Sequence, residues 1–166
     1  FLNPMVHRFF QAVETIRPHL RDGQILVLRS TLYPETSKKV HELFQTKGPN
    51  LDVVVCPERV AQGRALEELR ALPQIIAAFD DETFEMAEGL FRRIGRSTLR
   101  LTPLEGELTK IFANVWRYIQ FATANQFFMI ATDYGLDFYK LYDALTRDYP
   151  RMAGLPKSGF AAGPCL

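Results

Sequence analysis

Thr31, Glu58, Lys110, Asn114 and Cys165 are the residues whose types and places in this chain suit chemistry. Lys110 and Asn114 are four apart, so a helix stacks them on one face, with Arg117 a turn further along. Thr31 and the Cys56-Pro57-Glu58 corner each close an apolar run of strand-like composition. The carboxyl ends of such strands are where open α/β sheets collect their ligands. Cys165 lies in a turn-rich tail, and a thiol is a nucleophile when ionised. Each residue also has an inert reading. Thr31 serves equally as a strand-end cap, Glu58 as a solvated carboxylate, Lys110 as a helix lysine paired with Glu107, and Cys165 as a loop thiol. Cys56, within an apolar strand, reads as buried and inert. His7, His19 and His41 fall on predicted helices without partners at ligand spacing, so no metal site is expected.

The element that must carry Lys110 and Asn114 runs from Thr102 to Gly135. Thr102, Pro103 and Glu105 make a capping box with proline at the first helical position, and Gly135 suits the left-handed residue that ends a helix. The span corresponds to about 48 Å of helix. Leu108, Ile111, Val115, Ile119 and Ala122 give one apolar stripe. Phe112, Trp116, Phe127, Phe128 and Ile130 add apolar surface elsewhere, so more than one side is expected to be covered, by the domain or by another subunit.

Before this spine, strands alternate with helices. Asn3-Pro4 opens a helix to about Leu20, and Asp22-Gly23 turns into the strand Ile25 to Thr31. A helix fits Glu35 to Thr46, a strand Leu51 to Cys56, and a short helix Ala65 to Ala71. The strand Gln74 to Phe79 follows, then a helix capped by Asp80 or Asp81 to about Ile94, and a weaker strand Ser97 to Thr102. After the spine, Asp137 caps a helix to about Arg147, and the tail is rich in proline and glycine. This alternation implies an α/β fold with a parallel sheet. No glycine-rich phosphate turn of the GxGxxG kind follows the first strand, so the pattern is that of the second half of a doubly wound domain followed by a helical spine.

Composition bounds the rest. In 166 residues, 47% hydrophobic and 23% charged, there is material for one ordinary domain with a sizeable core. A net charge of +1, with both signs interspersed, gives no electrostatic case for nucleic acid or an acidic membrane. No apolar run reaches transmembrane length and no leader is visible. Two cysteines make no disulfide framework, so a reducing cytoplasm is the expected compartment. The chain begins at Phe1 almost directly in a helix and stops just after a Gly-Pro-Cys turn, which reads as a piece of something longer.

Four segments resemble one family. RSTLYPETS resembles the S-T-x-x-P-G-T segment of the nucleotide-sugar dehydrogenases, which act on UDP-glucose, GDP-mannose and UDP-N-acetylmannosamine. VVVCPERVAQGRALEEL resembles their N-P-E-F-L-x-E-G segment, ELTKIFANVWRYIQFATANQ their E-x-x-K-x-x-x-N helix, and GFAAGPC their G-F-G-G-x-C loop. The four occur in the family's order, from Ser30 to Cys165, and the likeness is nearest to the UDP-N-acetylmannosamine members.

The resemblance implies a Rossmann-like half domain over residues 1–101 and a central helical dimerisation and catalytic domain, truncated, over 102–166. It implies NAD as cofactor and a UDP- or GDP-linked sugar as substrate, whose C6 alcohol is oxidised to a carboxylate through an aldehyde and a thioester. By the same likeness Cys165 is the nucleophile, Lys110 and Asn114 stabilise oxyanions and contact substrate, Glu58 is the base for an oriented water, and Thr31 holds water beside the nicotinamide. Thr31 and Glu58 are thereby also cofactor-side residues. Gly159 and Phe160 match the loop over the sugar nucleotide, and Arg151 is carried as a phosphate or carboxylate contact. A homodimer through the 102–135 helix is expected. The departures are the missing glycine-rich turn, the lysine and aspartate that normally follow the cysteine, and the C-terminal UDP-binding domain. Within the motifs, Arg59-Val60 replaces Phe-Leu, Glu35 replaces glycine, and Pro164 precedes the cysteine. As it stands the chain is expected to bind NAD poorly and not to turn over. The alternatives are a β-hydroxyacid or 6-phosphogluconate-type dehydrogenase fragment, which needs no cysteine, and a non-catalytic dimerisation remnant.

Overall fold

The computed structural model describes residues 6–61, 63–95 and 97–160. The Asn3-Pro4 helix start and Cys165 lie outside them. The chain forms two compact units, Phe1–Ile111 and Phe112–Leu166.

The first unit is built on a four-stranded sheet of β1 (Ile25–Leu28), β2 (Asp52–Val55), β3 (Gln74–Ala78) and β4 (Thr98–Leu101), in that spatial order. Around it lie α1 (Val6–Ile16), α2 (Thr36–Thr46), α3 (Ala65–Ala71), α4 (Asp81–Phe91) and the first turns of α5 (Pro103–Asp133). Successive side chains of a strand point to opposite faces, and β2 shows the consequence. Val53 and Val55 pack with Val13 of α1 and Val40 and Phe44 of α2, whereas Val54 and Cys56 pack with Ala87 and Phe91 of α4. Burial on both faces is why these strands read as unbroken apolar runs.

The sheet departs from an all-parallel arrangement at one seam. β1 pairs β2 and β3 pairs β4 in parallel, but β2 and β3 run antiparallel, joined only through Val54–Ala78 and Val55–Ala77. A parallel return needs a crossover along the whole sheet, usually a full helix. The connection here carries only the seven-residue α3, and β3 returns from the end at which β2 finished.

Helix ends follow side-chain chemistry. The Asp80 carboxylate accepts the Thr83 amide at 2.8 Å and caps α4. At α5 the expected capping box is half realised: Glu105 reaches back to the Thr102 amide at 2.7 Å, while the Thr102 hydroxyl donates to that same carboxylate instead of accepting a helix amide. Gly106 lets α5 approach the sheet, since a Cβ there would lie 2.6 Å from Cβ of Ala77. At its far end Gly135, at φ 67°, donates to Thr132 and Leu136 donates to Ala131, the paired bonds of a Schellman motif.

The second unit holds the rest of α5, α6 (Phe138–Thr146) capped by Asp137 through the Tyr139 amide at 2.9 Å, and a 3-10 turn at Pro150–Met152. Its packed points are Ala124, Ala131 and Phe138, whose ring meets Phe128 edge-on at 5.6 Å. The apolar stripe expected on the spine is covered only at its start. Leu108 and Ile111 are half-buried, whereas Val115, Ile119 and Ala122 are exposed, as are Phe112 at 64% and Trp116 at 61%.

Candidate functional site

The parallel β1–β2 pair is in register from Ile25–Asp52 to Leu28–Val55, so both strands stop at the same level. Thr31 and Glu58 each lie three residues past their strand's end. The loops stay coupled beyond the ladder: Cys56 donates its amide to Leu28 and Glu58 donates its amide to Arg29, both at 2.9 Å. The two predicted strand-end residues therefore share one rim of the sheet.

Glu58 is held on three sides. Its Oε2 pairs with the Arg29 guanidinium, and its Oε1 accepts the amides of Arg59 at 2.8 Å and Val60 at 3.0 Å. Partial burial pushes its carboxyl up, but the Arg29 hydrogen bond, the Val60 amide, the Arg29 charge and the Arg59 amide together outweigh it and hold the group below the ordinary range. Glu58 is thus an ionised acceptor at neutral pH. Arg29 itself lies over the Phe91 ring at 5.2 Å, and one of its terminal nitrogens is buried without a hydrogen-bond partner.

Lys110 reaches the same corner from α5. Its Nζ donates to the main-chain carbonyl of Glu58, a contact between residues 52 apart in sequence. An ammonium has three donors, so two remain for other acceptors. The local pair with Glu107 does not form. The Glu107 carboxylate, 1% exposed, instead accepts the amides of Glu35 at 2.6 Å and Ser37 at 2.7 Å, and so caps the start of α2. Those amides belong to the Thr31–Ser37 turn. Glu35 stands there at φ 67°, the left-handed region in which glycine is at ease and other residues are strained by about 1–2 kcal/mol. The departure from glycine in this motif is thus accommodated with Glu107 holding the strained residue's own amide.

Arg29 and Glu107 are the two residues that sequence reasoning missed. Arg29 had no signal beyond its neighbours in RSTLYPETS. Glu107 had one, as the leading glutamate of ELTKIFAN.

The other predicted residues fall elsewhere. Asn114 belongs to the second unit and is 8% exposed. Gly159 is half-buried in that unit, Phe160 is 94% exposed, and Arg151 is exposed with its guanidinium 5.3 Å from the Tyr149 ring centre. Cys56 is buried, and burial pushes its thiol up to about 12, only partly countered by the Arg29 charge and a backbone bond at Ala77, so it is inert as a nucleophile. Among the described residues no group of three or more His, Cys, Asp or Glu could hold a metal ion. Among them, too, no helix is long and apolar enough to cross a membrane.

Comparison with known proteins gives this arrangement its context. Residues 4–95 match the family model described as the UDP-glucose/GDP-mannose dehydrogenase family, NAD binding domain. The chain is 32% identical over 158 residues to the UDP-N-acetyl-D-mannosamine dehydrogenase of Methanococcus maripaludis strain C7, covering 93% of this chain and 36% of that protein. The solved UDP-D-ManNAc dehydrogenase of Pyrococcus horikoshii superposes with a TM-score of 0.83 at 26% identity, covering 97% of this chain and 40% of that one. Cap5O of Staphylococcus aureus, a UDP-N-acetyl-mannosamine dehydrogenase, superposes with a TM-score of 0.75 at 25% identity, over 93% and 38% of the two chains. The chain thus spans little more than a third of the length of the curated relatives it matches.

Proposed function

Because this chain belongs to the UDP-glucose/GDP-mannose dehydrogenase family, we propose that it carries the central part of a nucleotide-sugar 6-dehydrogenase that converts a sugar C6 alcohol into a carboxylate with two NAD. Residues 1–101 serve as the C-terminal half of the NAD-binding domain, and residues 102–166 as the central helical dimerisation and catalytic domain. The observation that carries this reading is the meeting of Lys110 with the Glu58 corner, which gathers two motifs of the resemblance at one sheet rim. NAD, when bound, supplies the hydride acceptor for both oxidations. Thr31 and Glu58, at the in-register strand ends, suit its nicotinamide side, because open α/β sheets receive their ligands there.

The chain's own residues divide the remaining work. The Lys110 ammonium, with two donors unspent on Glu58, stabilises the oxyanions that form as the thiolate and then water add to the carbonyl carbon. Asn114 supplies an amide donor in the same role. The Cys165 thiolate adds to the aldehyde carbon, forming a C–S bond, and loss of hydride from that carbon leaves a thioester. Water then attacks, the C–S bond breaks, and the acid departs with the thiolate restored. Glu58, ionised and fixed by Arg29 and two amides, orients that water and accepts its proton, while Thr31 holds water beside the cofactor. Gly159, Phe160 and Arg151 contact the sugar nucleotide. The exposed Phe112 and Trp116 favour a homodimer through the 102–135 helix.

The test is Cys165→Ser in the longer parent protein, assayed for NADH and acid from a panel of UDP- and GDP-sugars. Acid formation is expected to be lost; unchanged acid formation overturns the mechanism. The 166-residue chain alone is expected to bind NAD poorly and show no turnover. NADH production by it would overturn that part of the reading.

A further inference from the structure

Glu107 and Lys110 stand three residues apart on α5 and so share one face of the helix. Each is fastened to a different loop of the sheet rim. Lys110 holds the loop after β2, through its bond to the Glu58 carbonyl. Glu107 holds the loop after β1, by accepting the amides of Glu35 and Ser37. The two loops are also joined directly, because Glu58 donates its amide to Arg29 at the start of the β1 loop. Three segments thereby form a closed ring. Within it the stretch from Arg29 to Glu35, which carries Thr31, is pinned at both ends, and buried Leu32 anchors its middle in the core.

The conformation of that stretch needs the hold. Thr36 donates to the Tyr33 carbonyl at 3.1 Å with Pro34 and Glu35 between them, and Glu35 has φ 67° and ψ 7°. These are the angles of the third residue in a type II turn, where glycine is the residue at ease. The amide that Glu107 takes at 2.6 Å is the strained residue's own. Glu107 is buried, so its oxygens depend on these two amides rather than on solvent. Beside it, Gly106 sets how closely α5 approaches the sheet, since a Cβ there would lie 2.6 Å from that of Ala77. Glu107 then fixes how the helix is turned about its axis.

We propose that Glu107 is a positioning residue: by locking α5 to the loop after β1, it sets where the Lys110 ammonium stands relative to Thr31 and the Glu58 corner. The proposal rests on the reading of Lys110 and Thr31 as site residues given above. A glutamine in place of Glu107 keeps the shape but offers one acceptor oxygen, and its amide nitrogen meets a backbone amide donor to donor. An aspartate keeps the charge but falls a methylene short.

The test uses the 166-residue chain with two readouts. Amide hydrogen exchange follows Glu35 and Ser37, with buried Val54 as the control for unfolding. Competitive acetylation over a range of pH follows Lys110, with the exposed Lys38 and Lys39 as references. In Glu107→Gln, exchange at Glu35 and Ser37 is expected to rise about tenfold or more while Val54 stays protected. Lys110 is expected to acetylate about threefold faster or more, relative to Lys38 and Lys39, as its bond to the Glu58 carbonyl loosens. Unchanged exchange at both amides overturns the proposal. Faster exchange with an unchanged Lys110 profile overturns the positioning role and leaves a helix cap. If Glu107→Gln exposes Val54, Glu107→Asp decides: Lys110 is expected to acetylate about twofold faster or more there, and no change overturns the proposal. Failure of the longer parent to oxidise any nucleotide sugar would remove the reading of the site, while exchange and acetylation would still decide whether Glu107 places Lys110.

Discussion

The two units settle their polar and apolar groups in opposite ways. In the first, apolar side chains are buried on both sheet faces, and the polar groups in its interior find partners far along the chain: Glu107 holds α2 across some 70 residues, and Lys110 reaches Glu58 across 52. In the second, the polar contacts are side-chain grips on a turn-rich tail, and large apolar residues such as Phe112, Trp116, Met129 and Ile130 stand exposed. The first unit is therefore specified by its own core. The second carries apolar surface that the described residues do not cover, and on the reading above a second subunit would cover it.

The sharpest way to break this comparison is Glu107→Ala. It leaves two amides at the start of α2 unsatisfied in a buried place, and the first unit is expected to lose about 3 kcal/mol, seen as a lower urea midpoint by far-UV circular dichroism. Loss of under about 0.5 kcal/mol would mean that water replaces the carboxylate and that the long-range polar contact specifies little. Gly106→Ala comes next. Its added methyl would lie 2.6 Å from Cβ of Ala77, so helix and strand must move apart, and about 2 kcal/mol of overpacking is expected in thermal unfolding.

A smaller effect is expected from pH. The folded Glu58 carboxyl titrates below its ordinary value of 4.5, so its contribution is present above that value and is lost as pH falls through the depressed one. The pair is partly exposed, so Arg29→Gln should remove less than about 1 kcal/mol of this acid-side dependence. Stability of both proteins measured from neutral pH to below 4.5 should show the variant's loss complete at a higher pH and amounting to less. Identical curves would mean that the two backbone amides alone set the group. Smallest is Trp116→Gln on the exposed face of α5, which should shift the stability of isolated chains by under about 0.5 kcal/mol yet weaken self-association in sedimentation. A large loss of monomer stability would show that the second unit depends on that ring.

Local order was legible because it depends on near neighbours. The short helix Ala65–Ala71 came out as expected, and Asp80 and Asp137 cap their helices as their spacing suggested. Strands came out shorter than the apolar runs: Arg29 to Thr31 and Cys56 continue the composition of strands but lie past the ladder that pairs Leu28 with Val55. Strand direction was not legible, because a continuous apolar run has the same pattern in either sense, and the antiparallel seam between β2 and β3 went unforeseen. In the site, strand ends pointed to Thr31 and Glu58, which share one rim, while the contact of Lys110 with the Glu58 carbonyl joins residues 52 apart and left no mark in helix spacing. Glu107 was misread as a partner of Lys110, because a spacing of three on a helix points to local pairing and nothing in the spacing reveals an amide some 70 residues away.

The in-register ladder of β1 and β2 makes chain length a ruler for the rim. Each residue of β1 has its partner exactly 27 positions later, so Thr31 and Glu58 keep their shared level only while that interval is preserved within the strands. A residue inserted in the Lys47–Asn50 turn can be taken up as slack. The same insertion between Asp52 and Val55 would turn every later side chain of β2 to the opposite face, exchanging Val55 for Val54 in the two cores. Tolerance to insertions and deletions should therefore change abruptly at the edge of a four-residue strand, before any residue of the rim is itself altered.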